Sequence, residues 1–334
     1  MKKRLFLAAA ALAAATVSPL AIAQTPIQIT FSTYLPPSYE YINKPVENFI
    51  KRVEAESKGR VKFKMFHSGQ LYDGFQELPA VSRGDVDMSN ISGTYASGAV
   101  PALNFFTLPF NFTDVDHLRR TVDAGLLDLG IAKEMAEKHN TLVLGMTAFD
   151  PYEFWSKRAP IRTAGDVKGK VWATTGSADA RAIQLLGGSP TGMSSSELYL
   201  ALDRGVIDGT PRPMITGTGR NLFEVAKHLS LATFAVDTSI LVINKKKFDS
   251  LPADIQDIMR RAGKERDREQ FERVNAYMKE AVKQFEAKGV KVNRIEPAEI
   301  EKMRQITAPA VTEWRAKVPN ADAYFELVKK TKKP

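Results

Sequence analysis

The side chains able to do covalent or metal chemistry in this sequence are few and badly spaced for it. Histidines stand at His67, His117, His139 and His228. A helical metal site of the H-x-x-x-H or H-E-x-x-H kind needs two of them one turn apart, and no such pair occurs. Ser68-Gly69, Ser92-Gly93 and Gly176-Ser177 are not G-x-S-x-G, so there is no nucleophile elbow. Neither G-x-G-x-x-G nor a phosphate-cradling P-loop is present. Asp85 with Asp87, and Glu54 with Glu56, are close carboxylates of the kind used in general acid–base work. They fall at the start of a strand and on a solvated helix face, where a structural role is the ordinary one. Cysteine is absent, which removes thiol nucleophiles, thiolate metal sites and disulfides together. No catalytic residue, cofactor or metal is expected.

What the chain offers instead is recognition chemistry. Phe149, Tyr152, Phe154, Trp155 and Trp172 gather around the middle of the sequence, while Tyr34 follows the first strand and Tyr95 the third. In open α/β sheets ligands bind outside the carboxyl ends of the strands, which is where these aromatics fall. They offer flat apolar walls; the alternative for each is a place in the core. Ser92, Thr94, Thr174, Thr175, Ser177, Gln70 and Thr238 sit in strand-end or loop positions. Each is able to bond a carboxylate or hydroxyl, or else to serve as a turn or cap residue.

The elements that must position these groups read as α/β. Residues 27–33 (IQITFST) and 61–66 (VKFKMF) alternate as strands. Between them Pro45 opens a helix with Val46, Phe49, Ile50 and Val53 on one face, ended by Gly59. A helix over 76–82 leads through Gly84 to a strand over 86–91. The second half repeats the plan: a strand over 170–173, a helix over 178–186, a helix over 196–203, then Gly205 and a further strand. Arg83-Gly84-Asp85-Val86-Asp87 and Arg204-Gly205-Val206-Ile207-Asp208 share R-G-x-x-D, each after an amphipathic helix. The pattern predicts two lobes, each a mostly parallel sheet flanked by helices, with a ligand cleft between them. A helical stripe from about Pro252 to Lys288 is long enough to brace both lobes or to mark an oligomer seam.

Length and charge agree. The chain has 334 residues, 44% hydrophobic and 25% charged, enough for two ordinary domains. Residues 1–23 have a basic start (Lys2, Lys3, Arg4), an apolar stretch and Ala21-Ile22-Ala23 before Gln24, the form of a cleaved secretory signal. Removing its three cations lowers the formal charge from +9 to +6. That balance favours anions, but Lys and Arg are scattered among acids, so nucleic acid is not a partner.

The chain resembles the solute-binding proteins of tripartite ATP-independent periplasmic (TRAP) transporters, of the C4-dicarboxylate-binding type. The residues carrying the likeness are Ser68-Gly69-Gln70-Leu71, Arg83-Gly84-Asp85-Val86-Asp87-Met88, Leu108-Pro109-Phe110-Asn111-Phe112, Asp166-Val167-Lys168-Gly169-Lys170, Leu202-Asp203-Arg204-Gly205-Val206-Ile207-Asp208-Gly209, Asn244-Lys245 and Leu251-Pro252-Ala253-Asp254-Ile255-Gln256. The resemblance implies two α/β lobes joined by crossovers and a long helix, closure around an organic acid, and delivery to a small and a large membrane permease subunit. It implies a monomer in the periplasm. Expected boundaries are 1–23 for the signal, 24–148 plus 237–277 for the first lobe, and 149–236 plus 278–334 for the second. The alternatives are a two-lobed binder serving another transporter or a sensor, or a periplasmic enzyme on a similar fold.

One departure from the family bears on the site. The resemblance implies a carboxylate-clamping arginine on the strand after Asp166-Val167-Lys168-Gly169, but here that strand reads Lys170-Val171-Trp172-Ala173-Thr174. With Val171 and Ala173 facing the core, Trp172 takes the arginine's position or lies beside it. A substitute lies in Asp208-Gly209-Thr210-Pro211-Arg212-Pro213, where the family carries a polar cleft residue, often asparagine. Arg212 is expected there, held by two prolines and able to make a charge-assisted fork on a carboxylate. The aromatic set points to an acid larger and flatter than a C4 dicarboxylate, aromatic or 2-oxo.

Overall fold

The computed structural model describes residues 25–333; the signal-peptide expectation for 1–23 lies outside them. Among the described residues eleven strands form two sheets. The first comprises β1 (Ile27–Ser32), β2 (Val61–Phe66), β3 (Met88–Ser92), β4 (Thr141–Ala148) and β10 (Thr238–Asn244), in the order β2-β1-β3-β10-β4. The second comprises β5 (Tyr152–Ser156), β6 (Val171–Thr174), β7 (Ser189–Gly192), β8 (Gly209–Pro213), β9 (His228–Ala235) and β11 (Lys291–Arg294), in the order β11-β9-β5-β8-β6-β7. Each sheet is parallel in direction except for one strand. That strand is β10, antiparallel to β3 and β4, in the first sheet and β5, antiparallel to β8 and β9, in the second.

The reversed strands are the two that enter from the other lobe. Chain passes from β4 to β5 through 149–151 and returns from β9 to β10 through 236–237. A strand arriving at the carboxyl edge of a parallel sheet must run against its neighbours. Both crossovers therefore lie at the edge where parallel strands end.

The two R-G-x-x-D segments do the same work in each lobe. Gly84 and Gly205 adopt φ of 83° and 73°, the left-handed conformation that lets the chain leave a helix. The Asp87 carboxylate then accepts the Thr30 amide of β1 at 2.7 Å, and the Asp208 carboxylate accepts the Val171 amide of β6 at 2.9 Å. Each ties its segment to the neighbouring parallel strand.

Helix Ala253–Ala287 spans 35 residues and packs on helix Glu40–Glu56 and β4 of the first lobe and on β11 of the second, as its apolar stripe predicts. Helix Glu40–Glu56 begins one turn before Pro45, which lies inside it rather than at its start. The C-terminal helix Ala321–Thr331 differs from the expected boundaries. It packs on helix Val115–Asp123 of the first lobe, where Val328 O accepts from His117 Nε2 at 2.9 Å and Thr331 O from Arg120 Nε at 2.8 Å. Trp314, Tyr324 and Val328 share that lobe's core. The chain thus crosses back once more after Arg294, through helix Pro297–Arg315.

Candidate functional site

A small cavity lies between the lobes. The first lobe contributes Tyr34 and Tyr39 from the loop after β1, Ser92 at the end of β3, and Tyr95 from the short helix Gly93–Ala96. The second contributes Thr175 after β6, Ser195 after β7, Arg212 and Pro213 at the end of β8, and Thr216 one turn into helix Met214–Gly219. Phe149 and Asp237 come from the crossovers, and Tyr152 opens β5. Every one sits where parallel strands end, or where a reversed strand begins at that same edge.

Arg212 is 2% exposed. Its Nη1 donates to the Pro211 carbonyl and its Nη2 to the Met193 carbonyl, both at 3.0 Å, while Nε has no partner. No carboxylate among the described residues forms an ion pair with it. The nearby buried carboxyl of Asp179, which the Arg212 charge draws down, is itself taken up by the Thr175 and Gly176 amides. A buried guanidinium without an ion-pair partner is costly unless something anionic meets it.

Asp237 is 1% exposed. It accepts the Ser92 hydroxyl at 2.5 Å, the Thr94 amide at 3.1 Å and the Tyr152 hydroxyl at 3.3 Å. Burial pushes its carboxyl above the usual range, and the Ser92 and Thr94 donors pull it back. Burial likewise raises the phenols of Tyr34, Tyr95 and Tyr152, so they stay neutral donors. Tyr39 keeps a buried hydroxyl with no partner.

The lobes meet directly over the cavity. Tyr95 hydroxyl accepts the Ser195 amide at 2.8 Å, Arg220 donates to the Ser195 hydroxyl at 3.3 Å and the Tyr34 carbonyl at 3.0 Å, and Ser38 donates to the Gly219 carbonyl at 3.0 Å. Arg220 also lies over the Tyr39 ring, 5.8 Å from its centroid. In the first crossover, buried Asp150 accepts the Tyr41 hydroxyl and the Met214 amide, each at 2.5 Å, joining one lobe to the other. Burial lifts its carboxyl to about 7.

Of the residues singled out in the sequence, Arg212, Phe149, Tyr152, Tyr34 and Tyr95 line the cavity, as do Ser92 and Thr175. Others do not. Trp172 is fully buried in the second lobe, edge-on to Phe154 at 5.6 Å, with its indole donating to the Val167 carbonyl at 3.1 Å. Phe154 and Trp155 are core residues on opposite faces of the same sheet. The expectation that Trp172 lies at the ligand therefore fails on geometry. Both faces of this sheet are covered, so strand alternation does not say which face meets the ligand. Thr174 turns its hydroxyl to the Thr191 carbonyl. Thr94 and Thr238 are buried beside the cavity without lining it, and Gln70 is exposed on the loop after β2. Tyr39, Ser195, Pro213, Thr216 and Asp237 were not foreseen. Asp237 had a signal, since it stands where the chain passes between the lobes.

Two sheets, joined by repeated crossovers around an interlobe cavity, define a two-lobed binding protein. The chain belongs to the bacterial extracellular solute-binding proteins of family 7, matched over residues 31–317. A solute-binding protein of Chromohalobacter salexigens is 29% identical over 78% of this chain and 77% of its own. The TRAP periplasmic solute-binding protein of Roseobacter denitrificans with bound β-D-glucuronate is 26% identical, with a TM-score of 0.85 over 91% of this chain and 100% of that one. One from Ralstonia eutropha H16, with bound (S)-2-acetolactate, is 25% identical, with a TM-score of 0.84 over 91% and 99%. Proteins of this type bind organic acids and work with membrane permeases. No helix among the described residues is long and apolar enough to cross a membrane.

Proposed function

We propose that this chain captures a small organic acid in the interlobe cavity, without catalysis, and delivers it as a monomer to a small and a large TRAP permease subunit from the periplasm. The observation that carries this reading is Arg212, a buried guanidinium lining the cavity with an unpaired Nε and no ion pair among the described residues. A ligand carboxylate supplies that pair through charge-assisted bonds. The relatives with bound glucuronate and acetolactate each hold a carboxylic acid. Closure follows from differential affinity: the ligand touches residues of both lobes only when they meet, so it favours the closed form.

The test is calorimetry on wild type and Arg212→Met against a panel of carboxylates. Loss of one partner of a buried charged hydrogen bond costs about 2–5 kcal/mol, so Arg212→Met should weaken binding at least about thirtyfold while remaining folded by circular dichroism. Equal affinity in the variant would reject the reading.

A further inference from the structure

We propose that Asp237 makes the site selective for a small monocarboxylic acid that also carries a hydrogen-bond donor, a hydroxyl or a protonated amine, and that it excludes dicarboxylates. The inference rests on the carboxylate reading of Arg212 and names the class of acid.

Among the residues lining the cavity, Arg212 is the one cation and Asp237 the one carboxylate. They come from different parts of the fold, the end of β8 and the return crossover, and no ion pair joins them. Arg212 accounts for one ligand carboxylate. A second would find no free cation among the described residues that line the cavity. Arg220 stands behind Ser195 with its Nε on the Ser195 hydroxyl and an Nη on the Tyr34 carbonyl, so its fork is engaged. A second carboxylate would instead meet Asp237 in a dry cavity, where like charges repel strongly.

Asp237 asks for the opposite partner. It accepts Ser92 Oγ, Thr94 N and Tyr152 OH and so acts as an acceptor toward the cavity; burial raises its carboxyl and the Ser92 and Thr94 donors lower it. A hydroxyl or ammonium on the ligand body is attracted to that acceptor; a keto oxygen is not. This moves the expected acid away from the 2-oxo class. The free hydroxyl of Tyr39, buried on the first-lobe side, is a second polar contact for the same group.

The experiment is a calorimetric series on the wild-type protein. Butyrate is compared with 2-hydroxybutyrate, 3-hydroxybutyrate, 2-aminobutyrate and 2-oxobutyrate, then 4-methylpentanoate with the same derivatives, then succinate and malate. At least one hydroxy or amino derivative should bind about tenfold or more tighter than its parent acid, its oxo analogue and both dicarboxylates. The hydroxy and amino arms show which donor is read. Asp237→Asn should shrink the donor preference to about threefold or less, with Tyr39→Phe as a second variant should Asp237→Asn unfold. If carboxylates bind but donors bring no gain, or if succinate or malate binds as tightly, the assignment to Asp237 falls while the Arg212 reading stands. If no carboxylate of any series binds, both fall.

Discussion

Glu153 stands directly opposite Arg212 in the β5–β8 ladder, yet the two form no ion pair. Opposed side chains in an antiparallel pair share a face and lie within easy reach. Here the Glu153 carboxylate turns to β9 and accepts the Ala232 and Thr233 amides, where the β5–β9 register shifts. Those amides, displaced from the ladder, would otherwise be orphaned. The nearest register partner of the cavity's cation is thus occupied elsewhere, and the guanidinium stays available.

That arrangement carries a pH dependence. Burial lifts the Glu153 carboxyl from an ordinary 4.5 to about 8, and the Asp150 carboxyl from 3.8 to about 7. Both groups hold protons in the folded state at pH values where the unfolded chain has lost them. Their contribution to stability is therefore present below about pH 4 and is lost as pH rises through 7 to 8. Thermal unfolding of the ligand-free protein between pH 5 and 8.5 should show a falling Tm, and Glu153→Gln should flatten the slope. A Tm that rises steadily across this range would contradict it.

Closure can be weakened without touching the charge at the centre. Tyr95→Phe removes the acceptor of the Ser195 amide across the cleft. A hydrogen bond of this kind contributes about 0.5–1.5 kcal/mol, so ligand affinity should drop roughly two- to tenfold. Small-angle scattering should show the variant compacting less at the same ligand concentration. Unchanged affinity would mean that this contact does not report on closure.

Trp172→Phe separates core from site. The ring fills the second lobe's core beside Phe154, and a Cβ at Gly209 would lie 2.6 Å from it. The substitution should cost about 0.5–3 kcal/mol of stability and leave affinity within about twofold. A large affinity loss in a folded variant would return Trp172 to the binding surface.

Asp87→Ala and Asp208→Ala should each cost about 1–3 kcal/mol, since each leaves a strand amide without its acceptor. They lie in different lobes, so the double variant should show the sum to within about 0.5 kcal/mol. Denaturant titration measures this; strong non-additivity would show that the lobes do not unfold independently of these ties.

The lobes, their winding and the bracing helix were legible because alternation, glycine positions and a long apolar stripe act locally. The site was legible where chemistry is unusual: an arginine between two prolines is hard to place anywhere ordinary, and Tyr34, Tyr95 and Tyr152 stand at strand ends. It was not legible at Trp172, because a sheet covered on both faces erases the difference between inward and outward. Asp237 was passed over in favour of Thr238 because nothing in a single sequence marks which of two adjacent residues faces a cavity built from two distant strands. The helix Ala321–Thr331 was assigned to the wrong lobe for a similar reason. Its docking rests on His117 and Arg120, about two hundred positions earlier, and amphipathicity alone names no partner.

The position of β10 between β3 and β4 has a consequence for how the chain is made. During synthesis, residues 27–148 emerge with four strands of a sheet whose fourth position, between β3 and β4, is still empty. Until position 244 has been polymerised, β3 and β4 have no shared neighbour, and the nascent first half must wait, with raw strand edges, for a segment threaded through the other half.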